Sequence, residues 1–175
     1  MPRPSDGLPA ANVSRGSMRA YAMSFDGALL RRGFWLYVWR ITTGDRTALY
    51  VGRTGDTSSP NASSPFKRIG QHLDGGPNAK GNVLARQLTR AGLAPENCTF
   101  EMVAVGPLFP EQDDMERHRA VRDQAAALER ALADHLRTAG HEVLGDHPRA
   151  AEYDDALFRE VIRIVDERLA NPGRP

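Results

Sequence analysis

The chain has 175 residues, 41% of them hydrophobic and 26% charged, which is long enough for a buried core and too apolar for global disorder. A formal net charge of +1 selects neither a polyanion nor a membrane surface as partner. No apolar run reaches the roughly 20 residues of a membrane helix, and residues 1–22 lack the apolar stretch of a secretory signal. Cys98 stands alone, which excludes an intramolecular disulfide and a cysteine-clustered zinc site and makes the reducing cytoplasm the default location.

Residues 1–17 are rich in Pro, Gly, Ser and Asn without periodicity and read as a flexible tail; the whole of 1–30 is expected to be an extension ahead of the folded domain. Residues 34–42, FWLYVWRIT, form an aromatic and β-branched run typical of a strand. Thr43-Gly44-Asp45 makes a turn into a second strand at 48–51, so the two form a hairpin. Residues 55–63 are a polar loop without lysine or arginine. Ser64 is placed as an N-cap with Pro65 at the first helical position, opening a helix to Leu73. After a Gly/Pro/Asn-rich connection at 74–81, a second helix is expected over 82–91, closed by Gly92. Residues 98–105 read as a third strand ended by Gly106-Pro107. A long helix follows, from about Met115 to Thr138 with Gly140 as its stop. A last amphipathic helix spans 153–169. The order β-β-α-α-β-α plus a C-terminal helix predicts an α/β fold of the α+β type. Its centre is a small, mostly antiparallel, three-stranded sheet flanked by helices. The main domain is expected over 31–148, followed by a helix and tail over 149–175.

Charge is unevenly spread: residues 31–92 carry ten Lys/Arg against three Asp, and residues 93–175 ten Arg against seventeen Asp/Glu. A polyanion would be drawn to the first half, although a solvated surface can be asymmetric without function.

On the helix 64–73, Phe66, Ile69 and Leu73 share one face and are expected to pack on the sheet. Arg68 and His72, four apart, would then project away from it, a pair suited to a phosphate, although such spacing more often marks an ordinary solvated face. On the long helix, Val121, Ala125, Leu128, Leu132, Leu136 and Ala139 define the buried stripe. Glu129 lies on its margin, where a carboxylate needs either a cation such as Arg122 or Arg130, or a hard metal ion. Tyr37 and Tyr50 lie on adjacent strands, and either packing or donation to phosphate would account for them.

Leu36-Tyr37-Val38, Tyr50-Val51-Gly52-Arg53-Thr54, Arg68 with His72, and Glu129, in that order and on those elements, resemble the GIY-YIG nuclease superfamily across residues 33–146. The resemblance implies a metal-dependent endonuclease that hydrolyses phosphodiester bonds, on DNA more readily than RNA. Tyr37 would help to activate water and Tyr50 would orient water or the scissile phosphate. Arg68 would stabilise phosphate charge with His72 as companion, and Glu129 would hold a single Mg²⁺ or Mn²⁺. Trp35 replaces the glycine of the first motif, and Gly145-Asp146 stand near where an Asn usually follows the Glu helix. Arg53, Lys67, Lys80, Arg86 and Arg90 are the expected substrate contacts. The expected partner is nucleic acid and not a membrane, and the C-terminal helix could also pair two copies as a homodimer. Two other readings fit the same residues: a nucleic-acid-binding module on this scaffold with catalysis weakened, and an α/β interaction domain.

Overall fold

The computed structural model describes residues 19–56, 60–76, 78–147 and 152–172. Strand β1 (Phe34–Thr43) and strand β2 (Arg46–Arg53) form the antiparallel hairpin, turning at Gly44, whose φ of +54° suits a residue without a Cβ. Helices α1 (Pro65–Leu73) and α2 (Val83–Arg90) follow. Strand β3 (Thr99–Phe109) then pairs antiparallel with the other side of β1. Helix α3 (Met115–Thr138), strand β4 (Val143–Leu144) and helix α4 (Asp155–Ala170) complete the chain.

The sheet has four strands in the order β3-β1-β2-β4, not three, because β4 adds parallel to β2 at Leu49 and Tyr50. The class is α+β as expected, and the sheet is mixed. β3 also runs past the point where Gly106-Pro107 was expected to end it; the Gly106–Pro107 peptide is cis, and the pairing with β1 shifts register between Phe34 and Leu36. Proline is tolerated there because β3 is an edge strand, where a missing N–H need not leave a neighbour unpaired.

Alternation along the strands divides the core in two. Leu36, Val38, Leu49 and Val51 face α3 and α4, packing on Leu128, Leu132, Leu136, Val161 and Val165. Tyr37, Trp39, Ile41, Ala48 and Tyr50 face the other way, toward Leu84 and Leu88 of α2 and Ile69 and Leu73 of α1. Ala139, assigned to the buried stripe of α3 from its spacing, is exposed one residue beyond the helix end. Helix starts follow the expected chemistry: Ser64, Asp114 and Asp154 each accept a hydrogen bond from a first-turn amide of α1, α3 and α4.

α4 lays its apolar face on this chain's own core, with Val161 and Val165 fully buried, and the Arg40 guanidinium donates to the Leu169 carbonyl at its end. The expected N-terminal extension divides as well. Residues 1–18 lie outside the described residues, while Phe25 stacks on Phe66 with ring centroids 4.6 Å apart and Gly27–Leu30 form a 3-10 turn against α1. Among the described residues, no helix is long and apolar enough to cross a membrane.

Candidate active site

Gly52 determines how the site begins. It faces Tyr37 across the hairpin, and a Cβ at position 52 would lie 2.5 Å from Tyr37 Cε2. Without that atom, the Tyr37 ring lies flat across β2 and reaches α1. There the Tyr37 hydroxyl sits 2.6 Å from His72 Nε2 and 3.2 Å from the Arg53 carbonyl. The imidazole is wedged edge-on between Tyr37 and Tyr50, with both ring centroids 5.5 Å away. His72 is fully buried.

This reverses the expected orientation of α1. The face carrying Pro65 and His72 is the one pressed into the sheet, and Phe66 is 37% exposed against Phe25. Ile69 and Leu73 lean sideways on the same aromatic cluster as Trp39 and Phe100. The physical reason is the gap over Gly52, which admits the Tyr37 ring and brings its hydroxyl to His72, while the N-terminal segment covers the apolar stripe that would otherwise need the sheet.

Hydrogen-bond accounting fixes the protons. His72 Nδ1 is buried without a partner among the described residues, and an orphaned N–H costs more than an orphaned lone pair of a neutral ring. The proton therefore belongs on Nε2, which donates to the Tyr37 oxygen, while the Tyr37 O–H donates to the Arg53 carbonyl. Burial, reinforced by the nearby Arg68 guanidinium, pushes His72 down to about 4, so the ring is neutral near pH 7. Burial also raises both phenols above their ordinary range. The Tyr37 hydroxyl is thus engaged on both sides, by the Arg53 carbonyl and by His72.

Glu129 comes from the opposite face of the sheet. It meets the tyrosines at the edge of β2, because β4 covers that edge only at Leu49 and Tyr50. Its partner is neither Arg122 nor Arg130, which pair with Asp123 and Asp134. Arg53 Nη1 donates to Glu129 Oε2 at 3.1 Å, with 17% and 14% of the two side chains exposed. Burial outweighs the attraction of Arg53 and raises the Glu129 carboxyl to about 7.

Tyr37, Tyr50, Arg53, Arg68 and Glu129 thus line one cavity of about 200 Å³, together with Asp56, Gln87, Asp146 and His147. Arg68 is held by Asp56 Oδ2 at 3.0 Å and by Gln71 at 3.3 Å. The Nε atoms of Arg53 and Arg68 are buried without partners among the described residues, so each guanidinium has unused donor capacity. His147 anchors the far wall: its Nε2 donates to the Val51 carbonyl at 3.2 Å, and its Nδ1 accepts from Arg137 at 3.3 Å. Thr54 ties the end of the hairpin by accepting from the Trp35 amide at 2.8 Å and donating to the Gly33 carbonyl.

The other expected contacts are not brought into this cavity. Lys67 and Lys80 are exposed, on α1 and on the connection after it, and Arg86 lies on α2 beside Pro95 and Glu96. Arg90 lines a separate groove next to the cavity. Sequence reasoning missed Asp56, Gln87 and His147. The one available signal was Asp56, a lone acid at the start of a loop without cations and twelve residues before Arg68.

No group of three or more His, Cys, Asp or Glu side chains suited to a metal exists among the described residues. A dehydrated, protein-enclosed ion would need such a ligand group. Mg²⁺ instead keeps several waters and binds through one or two carboxylates. Glu129 and Asp56, both lining a polar cavity with room for several waters at about 30 Å³ each, fit that mode of binding. Compared with family models, curated proteins and solved structures, the chain matches none of them.

Proposed function

We propose that the chain is a metal-dependent phosphodiesterase of the GIY-YIG type, cleaving nucleic acid, with DNA the favoured substrate. The observation that carries this reading is convergence. Two phenols, two guanidiniums and a desolvated carboxylate, from β1, β2, α1 and α3 and spread between positions 37 and 129, share a single small cavity.

Each residue has a physical task in such a reaction. Arg68, which lines the cavity and is nearly buried, offers its guanidinium fork to the non-bridging oxygens of a phosphodiester once Asp56 yields. Arg53 keeps the Glu129 carboxylate in place. Tyr50 lines the cavity as a neutral phenol and donates its O–H to phosphate or water. Tyr37 and His72 lock α1 onto the hairpin and so fix where Arg68 stands. Glu129, with Asp56 across the cavity, would hold Mg²⁺ or Mn²⁺, and the ion would supply Lewis-acid polarisation of the phosphoryl oxygen and a more acidic water.

Incubation with supercoiled plasmid tests this. The wild type should nick it with Mg²⁺ or Mn²⁺ and not in EDTA. Removal of a single transition-state donor typically costs about 10²–10³ in rate, so Arg68→Ala should fall by that much, and Glu129→Ala at least as far. Nicking that survives in Glu129→Ala sinks the assignment. A second reading, a binding module with catalysis weakened, draws on one observation: both guanidiniums of the cavity are already paired with carboxylates of the same chain. Salt-sensitive binding of DNA without any cleavage would favour it.

A further inference from the structure

Beside the cavity lies a larger groove of about 600 Å³, whose lining includes Gln87, Arg90, Arg130, Arg137, Asp146 and His147. The two are adjoining parts of one depression: Gln87, Gly145, Asp146 and His147 belong to the walls of both. The turn after β4 is the partition between them, and it is built from groove arginines. Arg130 Nη1 donates to the His147 carbonyl at 2.5 Å, and Arg137 Nη2 donates to the Gly145 carbonyl at 2.9 Å.

These guanidiniums are oriented but not neutralised. Arg130 and Arg137 share one carboxylate, Asp134, at 2.7 and 3.0 Å, and their remaining partners are carbonyls and an imidazole, which carry no negative charge. Arg90, at the last turn of α2 across the groove, makes no ion pair among the described residues. Glu142 is matched by Arg46 at 2.5 Å, so Asp146 is the one further acid facing the three arginines. A concave surface with surplus guanidinium charge, fixed by its own backbone, suits a phosphate, because the fork matches paired oxygens. Its volume falls within the roughly 300–1,000 Å³ of small-ligand sites, enough for a unit of a polymer beyond whatever occupies the cavity.

We propose that this groove is a second phosphate subsite, which holds the nucleotide next to the scissile phosphate on the same strand and is read by Arg90, Arg130 and Arg137. The proposal rests on the phosphodiesterase reading and extends it by giving the substrate strand a direction: out of the cavity, over the turn at residues 145–147, and between α2 and α3. It also divides the arginines of α2. Arg90 lines this groove as well as the one beside Pro95 and Glu96 and belongs to the subsite, whereas Arg86 lines only the latter and does not.

Binding of a fluorescein-labelled single-stranded 20-mer, followed by anisotropy in EDTA from 50 to 200 mM salt, tests this without requiring cleavage. Each lost phosphate contact on a single strand flattens the slope of log K against log salt by about 0.7. Arg90→Gln, at an exposed position, should show that loss, Arg130→Gln the same, and Arg86→Gln none. Unchanged slopes in both Arg90→Gln and Arg130→Gln overturn the subsite while leaving the phosphodiesterase reading intact. Equal loss in Arg86→Gln and Arg90→Gln also overturns it, since a diffuse surface would then account for the binding. A wild-type protein that binds no oligonucleotide overturns the nucleic-acid reading itself.

Discussion

Replacing Glu129 with Gln keeps the shape of the side chain and an acceptor for Arg53 but removes the titration. Burial raises the folded-state pKa from an ordinary value of 4.5 to about 7, so the fold disfavours the ionised form. In the wild type the contribution of this group to stability is intact below about pH 4.5 and is lost as the pH rises through 7. A shift of that size corresponds to roughly 3 kcal/mol at 1.36 kcal/mol per unit. His72 works in the opposite sense. Its pKa is depressed to about 4, so its contribution is present above about 6.5 and lost as the pH falls through 4. The wild-type profile therefore contains two partly cancelling slopes, and only the difference between wild type and variant isolates Glu129. Between pH 4 and pH 8, Glu129→Gln should gain roughly 3 kcal/mol relative to wild type, seen by urea unfolding. In a chain of this length that is roughly 6–12 °C in Tm. Millimolar Mg²⁺ at pH 8 should close part of the gap by stabilising the wild type alone, since an ion on the carboxylate offsets its desolvation. A difference that stays flat from pH 4 to pH 8 would refute the claim that this carboxylate is desolvated by the fold.

Gly52→Ala puts a methyl group 2.5 Å from Tyr37 Cε2 in a site where the ring cannot retreat from His72. Overpacking of this kind costs about 1–3 kcal/mol, and thermal unfolding should show the drop together with lost activity; an unaffected Tm would mean that the ring is not confined. Asp56→Asn removes the anion that holds Arg68, so DNA binding in EDTA should tighten, and Mg²⁺-dependent nicking should persist if Glu129 is the principal ligand. Weaker binding by Asp56→Asn would show that Asp56 helps to hold the substrate.

The features legible in the sequence were those with local causes. The hairpin followed from the aromatic run and Gly44, the start of α1 from Ser64-Pro65, and the length of α3 from its periodicity. The marginal position of Glu129 followed from helical rotation alone, and its desolvation is what that position produces. What escaped depends on partners distant in the chain. Two residues of β4 carry no strand pattern of their own and pair only because β2 leaves an edge open. Spacing on α1 separated the apolar residues from Arg68 and His72 correctly, yet a helical wheel does not say which side looks at the sheet. That was decided by an absent Cβ at Gly52 and by Phe25 covering Phe66. The ion pairs Arg53–Glu129 and Asp56–Arg68 join positions 76 and 12 apart, and no local pattern selects them over the nearer arginines of α3.

The most direct measurement is a crystal structure of the protein grown with Mn²⁺ and recorded at the manganese absorption edge. An anomalous peak bound to a Glu129 carboxylate oxygen, inside the cavity of Tyr37, Tyr50 and Arg68 and lost in Glu129→Gln, is the predicted result. A cavity without that peak at millimolar Mn²⁺, or an ion bound elsewhere while Arg53 keeps the carboxylate, would contradict the account.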